Sequence, residues 1–108
     1  GAEILALTVG GTIRRMPSLQ KGHSSVQIKK NNPLCGGIID VYQSHNFEIS
    51  QLGKHLTQIA DSNYCKYEII QYEELQIYGT QFHPEMSTDG LELLQKFTKL
   101  GSVLIRNK

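Results

Sequence analysis

Two apolar runs, residues 65–72 and 75–82, are separated by Glu73-Glu74, and the second stops at His83-Pro84. Runs of this length with a short polar break pair as an antiparallel hairpin. Pro84 fixes its own φ and biases His83 toward extended geometry, so the second strand ends at a stiff corner. That corner reads Gln81-Phe82-His83-Pro84-Glu85, which places a histidine and a carboxylate two residues apart. An imidazole can take a nucleophile's proton as general base, while a carboxylate fixes its tautomer and stabilises the imidazolium. A histidine and a glutamate flanking an ordinary proline turn would look the same, so the chemistry depends on the rest of the chain.

The rest reads as helix, strands, helix. Gly1-Ala2-Glu3-Ile4-Leu5-Ala6-Leu7-Thr8-Val9 is a short apolar helix stopped by Gly10-Gly11. Thr12 to Arg15 is a short strand closed by Met16-Pro17-Ser18, and Ser24 to Ile28 alternates as a half-buried strand does. Residues 29–33 form a polar turn. Residues 38–43 alternate as a strand that delivers Ser44-His45-Asn46 to its end, and residues 56–60 make another short strand. In the closing helix, Ser87 or Thr88 caps the start, Asp89 suits the positive end of the dipole, and Gly101 stops the last turn behind Lys96 and Lys99. Leu91, Leu94 and Phe97, with Leu93 and Leu100, form its buried stripe. The helix is scaffold covering the sheet behind His83, with no chemistry assigned to Glu92 or Lys96.

With 108 residues, 39% hydrophobic content and a net charge of +1, the chain makes one domain or less and has no charge excess that points to nucleic acid or membrane. No apolar stretch is long enough to cross a bilayer and no signal peptide is visible, so the expected location is cytoplasmic. Cys35 and Cys65 lie 30 positions apart without metal-ligand spacing. They read as reduced, partly buried thiols, and no metal or cofactor is expected.

In this context the sequence resembles the class I, or triad, glutamine amidotransferases. Gly1-Ala2-Glu3 matches the last three positions of their Gly-x-Cys-x-Gly-x-Gln elbow, with Glu3 where most members carry Gln, and the helix and Gly-Gly follow in order. Val41-Tyr42-Gln43-Ser44-His45-Asn46-Phe47-Glu48-Ile49 resembles the family's Ser-His-x-x-Glu-Val stretch. Residues 69–82 resemble the strand pair leading to the histidine, and residues 87–100 the closing helix. Gln-Phe-His-Pro-Glu is the most specific part. The Ser-His stretch looks most like the glutaminase part of GMP synthetases and their free-standing relatives, while Gly22-His23 and Gln43 to Phe47 also resemble the small subunit of carbamoyl-phosphate synthetase.

The resemblance implies an open, flavodoxin-like α/β sheet with the site at the carboxyl ends of the central strands. This chain would supply the C-terminal part, with antiparallel strands and a closing helix. Residues 1–108 would then be a partial amidotransferase domain, without the early βα units and without the nucleophilic Cys, whose place is two residues before Gly1. The implied activity is hydrolysis of glutamine to glutamate, with ammonia passed to a synthetase domain or subunit. By position, His83 is the acid/base and Glu85 its orienting partner, while Glu3, Ser44, His45, Asn46 and Phe47 face glutamine. Cys35, in Pro33-Leu34-Cys35-Gly36-Gly37, lacks the strand-to-helix elbow that exposes a nucleophile, so the chain as given is expected to be inactive. Two alternatives stay open. One is a degenerate, non-catalytic binding or interaction module of the same fold; the other is a γ-glutamyl hydrolase-like peptidase fragment, since those enzymes carry Glu at the position of Glu3.

Several residues have plainer roles. His45 either satisfies buried backbone groups at a strand end or contacts ligand. His23 and His55 read as solvated, Arg14-Arg15 as a solvated pair rather than an anion site, and Tyr42, Tyr67, Tyr72 and Tyr78 as sheet packing.

Overall fold

In the computed structural model, six strands form one open sheet: β1 (Thr12–Ile28), β2 (Ile38–Gln51), β3 (Leu56–Asp61), β4 (Ile69–Tyr72), β5 (Ile77–Thr80) and β6 (Val103–Ile105). A 3-10 turn (Pro84–Met86) and helix α1 (Thr88–Leu100) connect β5 to β6. The spatial order is β2-β1-β3-β4-β5-β6. All neighbours are antiparallel except β5 and β6, which are parallel. The structure describes residues 10–30, 36–73, 75, 77–100 and 103–105, with side chains other than those of 18, 97, 99, 100 and 103–105. The helix expected over the first residues, most of the polar turn at 29–33 and Cys35 lie outside the described residues.

The expected hairpin of β4 and β5 forms over part of the two runs, pairing Ile69 with Thr80 and Gln71 with Tyr78, while residues 65–68 are irregular chain before β4. Two strand expectations are corrected. The segments at 12–15 and 24–28 belong to one 17-residue strand, because Met16-Pro17-Ser18 makes a bulge instead of a turn. Arg15 pairs with Phe47 and the next pair is Gln20 with His45, so residues 16–19 stand against Asn46. Pro17 cannot donate to a ladder, and the bulge holds it where no ladder bond is needed. Likewise β2 does not end at Gln43 but runs to Gln51, so Ser44-His45-Asn46 lies within the strand. Its alternation simply continues, with Val41, Gln43 and His45 buried on one face.

Val26, Val41, Ile59, Ala60, Ile69, Tyr78, Phe82 and Leu93 form the main core cluster. Ile49 and Ile70 anchor a second, with Ile13, Leu56 and Tyr72 packed against it. Ile69 and Ile70 are adjacent in β4 and belong to different clusters, so both faces of this strand are apolar, as period-2 side-chain alternation requires. Helix α1 covers the first cluster through Leu93, whose burial is worth about 1.5–3 kcal/mol. Leu91, expected in the buried stripe, is 48% exposed; the helix instead turns Gly90 and Leu93 inward. Ser87 caps the helix, its Oγ accepting the Gly90 N–H at 3.0 Å, and Asp89 Oδ2 accepts the Asp40 N–H at 2.8 Å, fastening the first turn to β2. Among the described residues no helix is long and apolar enough to cross a membrane.

Candidate functional site

His83 follows β5 and is fixed at its backbone before its ring is considered. Its N–H donates to the Tyr42 carbonyl at 2.9 Å, a lone bridge joining the end of β5 to β2. Its extended conformation, φ −96° and ψ 96°, is the one a following proline favours. Pro84 then opens the 3-10 turn, which the Met86 N–H closes onto the His83 carbonyl at 3.1 Å. That turn swings Glu85 back, and its Oε1 lies 3.3 Å from His83 Nδ1. With Nδ1 facing the carboxylate, Nε2 is the ring atom left for proton transfer. The imidazole is largely enclosed, at 18% exposure, and Glu85 is open to solvent at 41%. Gly90 holds this corner in place, because a β-carbon there would overlap the Pro84 carbonyl.

The Tyr42 ring packs 6.4 Å from the His83 ring, and the His23 ring stands edge-on to Tyr42 at 5.6 Å. Ser44, two residues on in β2, shares the face of Tyr42 and is exposed. The fold thus brings the start of the Ser44–Phe47 stretch beside the strand that holds His83. Asn46 sits opposite the β1 bulge, and Phe47 is exposed with the Arg15 guanidinium 6.0 Å above its ring. Arg14 pairs with Glu48 at 3.3 Å, so both arginines have partners within the sheet. Glu3 lies outside the described residues.

His45 occupies the other face. Its ring is buried, with Nδ1 2.9 Å from the Phe47 carbonyl and Nε2 2.8 Å from Gln43 Oε1. Gln43 Nε2 donates to Glu68 Oε2 at 2.9 Å, and the Ser62 hydroxyl donates to the same oxygen at 2.6 Å. Burial pushes the Glu68 carboxyl up to about 7, against the two hydrogen bonds that favour its charge, with the acidic Glu48 and Asp61 adding to the rise. The sequence reading missed Gln43, Ser62 and Glu68. The available signal was the period-2 spacing of Gln43 and His45, and a glutamate inside an apolar run.

An open α/β sheet with a histidine–carboxylate pair at a strand end is an arrangement able to serve a nucleophile. Residues 1–100 match the family model of the class-I glutamine amidotransferases, and the chain belongs to that family. It is 34% identical over 109 residues to a component of the glutamine-hydrolyzing GMP synthase of Methanococcus aeolicus, covering 96% of this chain and 58% of that protein. Against the glutamine-hydrolyzing GMP synthase of Yersinia pestis it is 28% identical over 110 residues, 90% of this chain and 21% of that one. A Thermoplasma acidophilum protein provisionally described as a GMP synthase component superposes with a TM-score of 0.83 at 27% identity, over 93% of this chain and 53% of the other. The chain therefore spans little more than half the length of the Methanococcus and Thermoplasma relatives.

Proposed function

We propose that this chain carries the histidine and glutamate of the Cys-His-Glu triad of a GMP synthase-type glutamine amidotransferase, a cytoplasmic enzyme that delivers ammonia to a synthetase domain or subunit. The observation supporting this most directly is the His83 Nδ1–Glu85 Oε1 contact of 3.3 Å on the corner that ends β5. In this reading the nucleophile is a cysteine outside the 108 residues, two positions before Gly1. Its thiolate attacks the side-chain amide carbon of glutamine. His83 Nε2 then protonates the departing nitrogen, which leaves as ammonia, and the acyl group remains on sulfur as a thioester. His83 next takes a proton from water, whose oxygen attacks the thioester and releases glutamate and the thiolate. Glu85 holds the ring through Nδ1 and stabilises its charged form. Ser44, Asn46 and Phe47, with the backbone of His45 and with Glu3, supply contacts to glutamine's α-amino and carboxylate groups.

The test is His83→Ala in a protein that includes the residues preceding Gly1. Members of a nucleophile–base unit fail together, so glutamine hydrolysis should fall on the order of 10⁴-fold or more. Full activity in this variant would overturn the assignment.

A further inference from the structure

We propose that His45, Cys65 and Glu68, with Gln43 Oε1 as a fourth donor, form a closed structural site for a zinc-type divalent cation. One ligating atom from each of the first three lies within 4.8 Å of the others, and all three residues are buried. Tetrahedral zinc, with bonds of about 2.3 Å to sulfur and about 2.0–2.2 Å to nitrogen and oxygen, places its donors roughly 3.3–3.7 Å apart, so modest side-chain closure completes the shell. Thiolate, imidazole and carboxylate together suit zinc and not calcium or magnesium.

The hydrogen bonding points the same way. If His45 Nδ1–H donates to the Phe47 carbonyl at 2.9 Å, the tautomer is fixed as it is in metal-binding histidines, whose second nitrogen is held by a carbonyl or carboxylate. The Nε2 lone pair then faces the Gln43 carbonyl oxygen at 2.8 Å, two acceptors that must part by about 0.5 Å to hold an ion between them. A cation satisfies both. Glu68 is fully buried, and while its Oε2 takes the bonds from Gln43 and Ser62, its Oε1 has no hydrogen-bond partner. The turn that presents the thiol is already ordered, since the Cys65 N–H donates to Ser62 Oγ at 3.1 Å. The ligands come from β2, from the β3–β4 turn and from the residue before β4, so the ion would tie these segments together. With four protein donors, all on buried residues, it would be structural, and the inference does not depend on the glutamine chemistry proposed above.

The experiment is a Co²⁺ titration of the chelator-treated protein, with the residues preceding Gly1 included, followed by zinc displacement. A thiolate-to-cobalt charge-transfer band should saturate at one ion per chain, survive Cys35→Ser and vanish in Cys65→Ser. Zinc should raise the melting temperature of the parent and of Cys35→Ser but not of Glu68→Gln, which keeps both cysteines and tests the site should Cys65→Ser fail to fold. A doubly protonated His45, or a turned Gln43 amide beside a protonated Glu68, would satisfy the same contacts with protons alone. In that case the folded chain shows no thiolate–cobalt band, and the proposal falls. It also falls if the band persists in Cys65→Ser, which would place the ion elsewhere.

Discussion

Among the described residues stand two histidine–glutamate neighbourhoods built from the same side chains and opposite surroundings. At the end of β5, His83 and Glu85 are two residues apart, and the glutamate stands in solvent at 41% exposure. His45 in β2 and Glu68, the residue before β4, are bridged by Gln43 and buried. In the function proposed above, the open pair changes protonation during the reaction with its carboxylate in contact with water. The closed pair cannot do so cheaply, since charging Glu68 sets desolvation against two hydrogen bonds. A histidine near a carboxylate is therefore not by itself a catalytic signature; what differs between these two pairs is the exposure of the carboxylate.

The same substitution in each neighbourhood should separate them by observable. Glu85→Gln, in a protein with the residues preceding Gly1, keeps the shape of the corner but loses the charge that supports the imidazolium. Glutamine hydrolysis should drop roughly 10³-fold, less than for His83→Ala. Stability should stay within about 0.5 kcal/mol, since an exposed carboxylate contributes little to folding. Steady-state kinetics with a parallel melt would decide it; a large stability loss with intact turnover would invert the comparison.

Glu68→Gln should do the reverse. The folded-state pKa of about 7 stands above the ordinary 4.5, so Glu68 favours the folded state most where it is protonated in both states, below its unfolded value. That contribution is lost as pH rises from 4.5 through about 7, in total on the order of 3 kcal/mol. Melting of the metal-free parent should fall across this window and level off above it, while Glu68→Gln should hold a flatter profile and be the more stable of the two at about pH 8. Zinc binds the ionised carboxylate and should counter the parent's decline. A parent with a flat profile would mean that Glu68 is better compensated than its surroundings indicate.

The open neighbourhood was legible in the sequence because its parts are contiguous. His83, Pro84 and Glu85 fix one another locally, and the apolar hairpin, the Ser87 cap and the closing helix are each set by neighbouring residues. The closed neighbourhood was not, since Gln43, His45, Cys65 and Glu68 meet only through strand pairing, which depends on the long β1–β2 register and its bulge. Pro17 looked like a strand end because a single sequence does not show that the partner strand leaves room for an excursion. Leu91 looked buried because helical spacing gives a stripe without fixing its rotation about the helix axis. That rotation is set by Gly90, which must face Pro84.

Gly90→Ala tests how tightly the helix holds the open pair. In an isolated helix alanine would gain about 1 kcal/mol over glycine. Here the added carbon would run into the Pro84 backbone, with no flexible side chain to move aside. Overpacking of this kind costs about 1–3 kcal/mol, so steric conflict should outweigh helix propensity and the variant should melt lower. The displaced element is the turn carrying Glu85, so turnover should fall as well, although neither partner of the pair has changed. Ser87→Ala is the matched control: it removes the cap at a cost of about 1 kcal/mol without pushing on Pro84, and activity should be largely kept. If Gly90→Ala were as stable as the parent and fully active, the helix would be a passive cover and the pair would be held by the β5–β2 bridge alone.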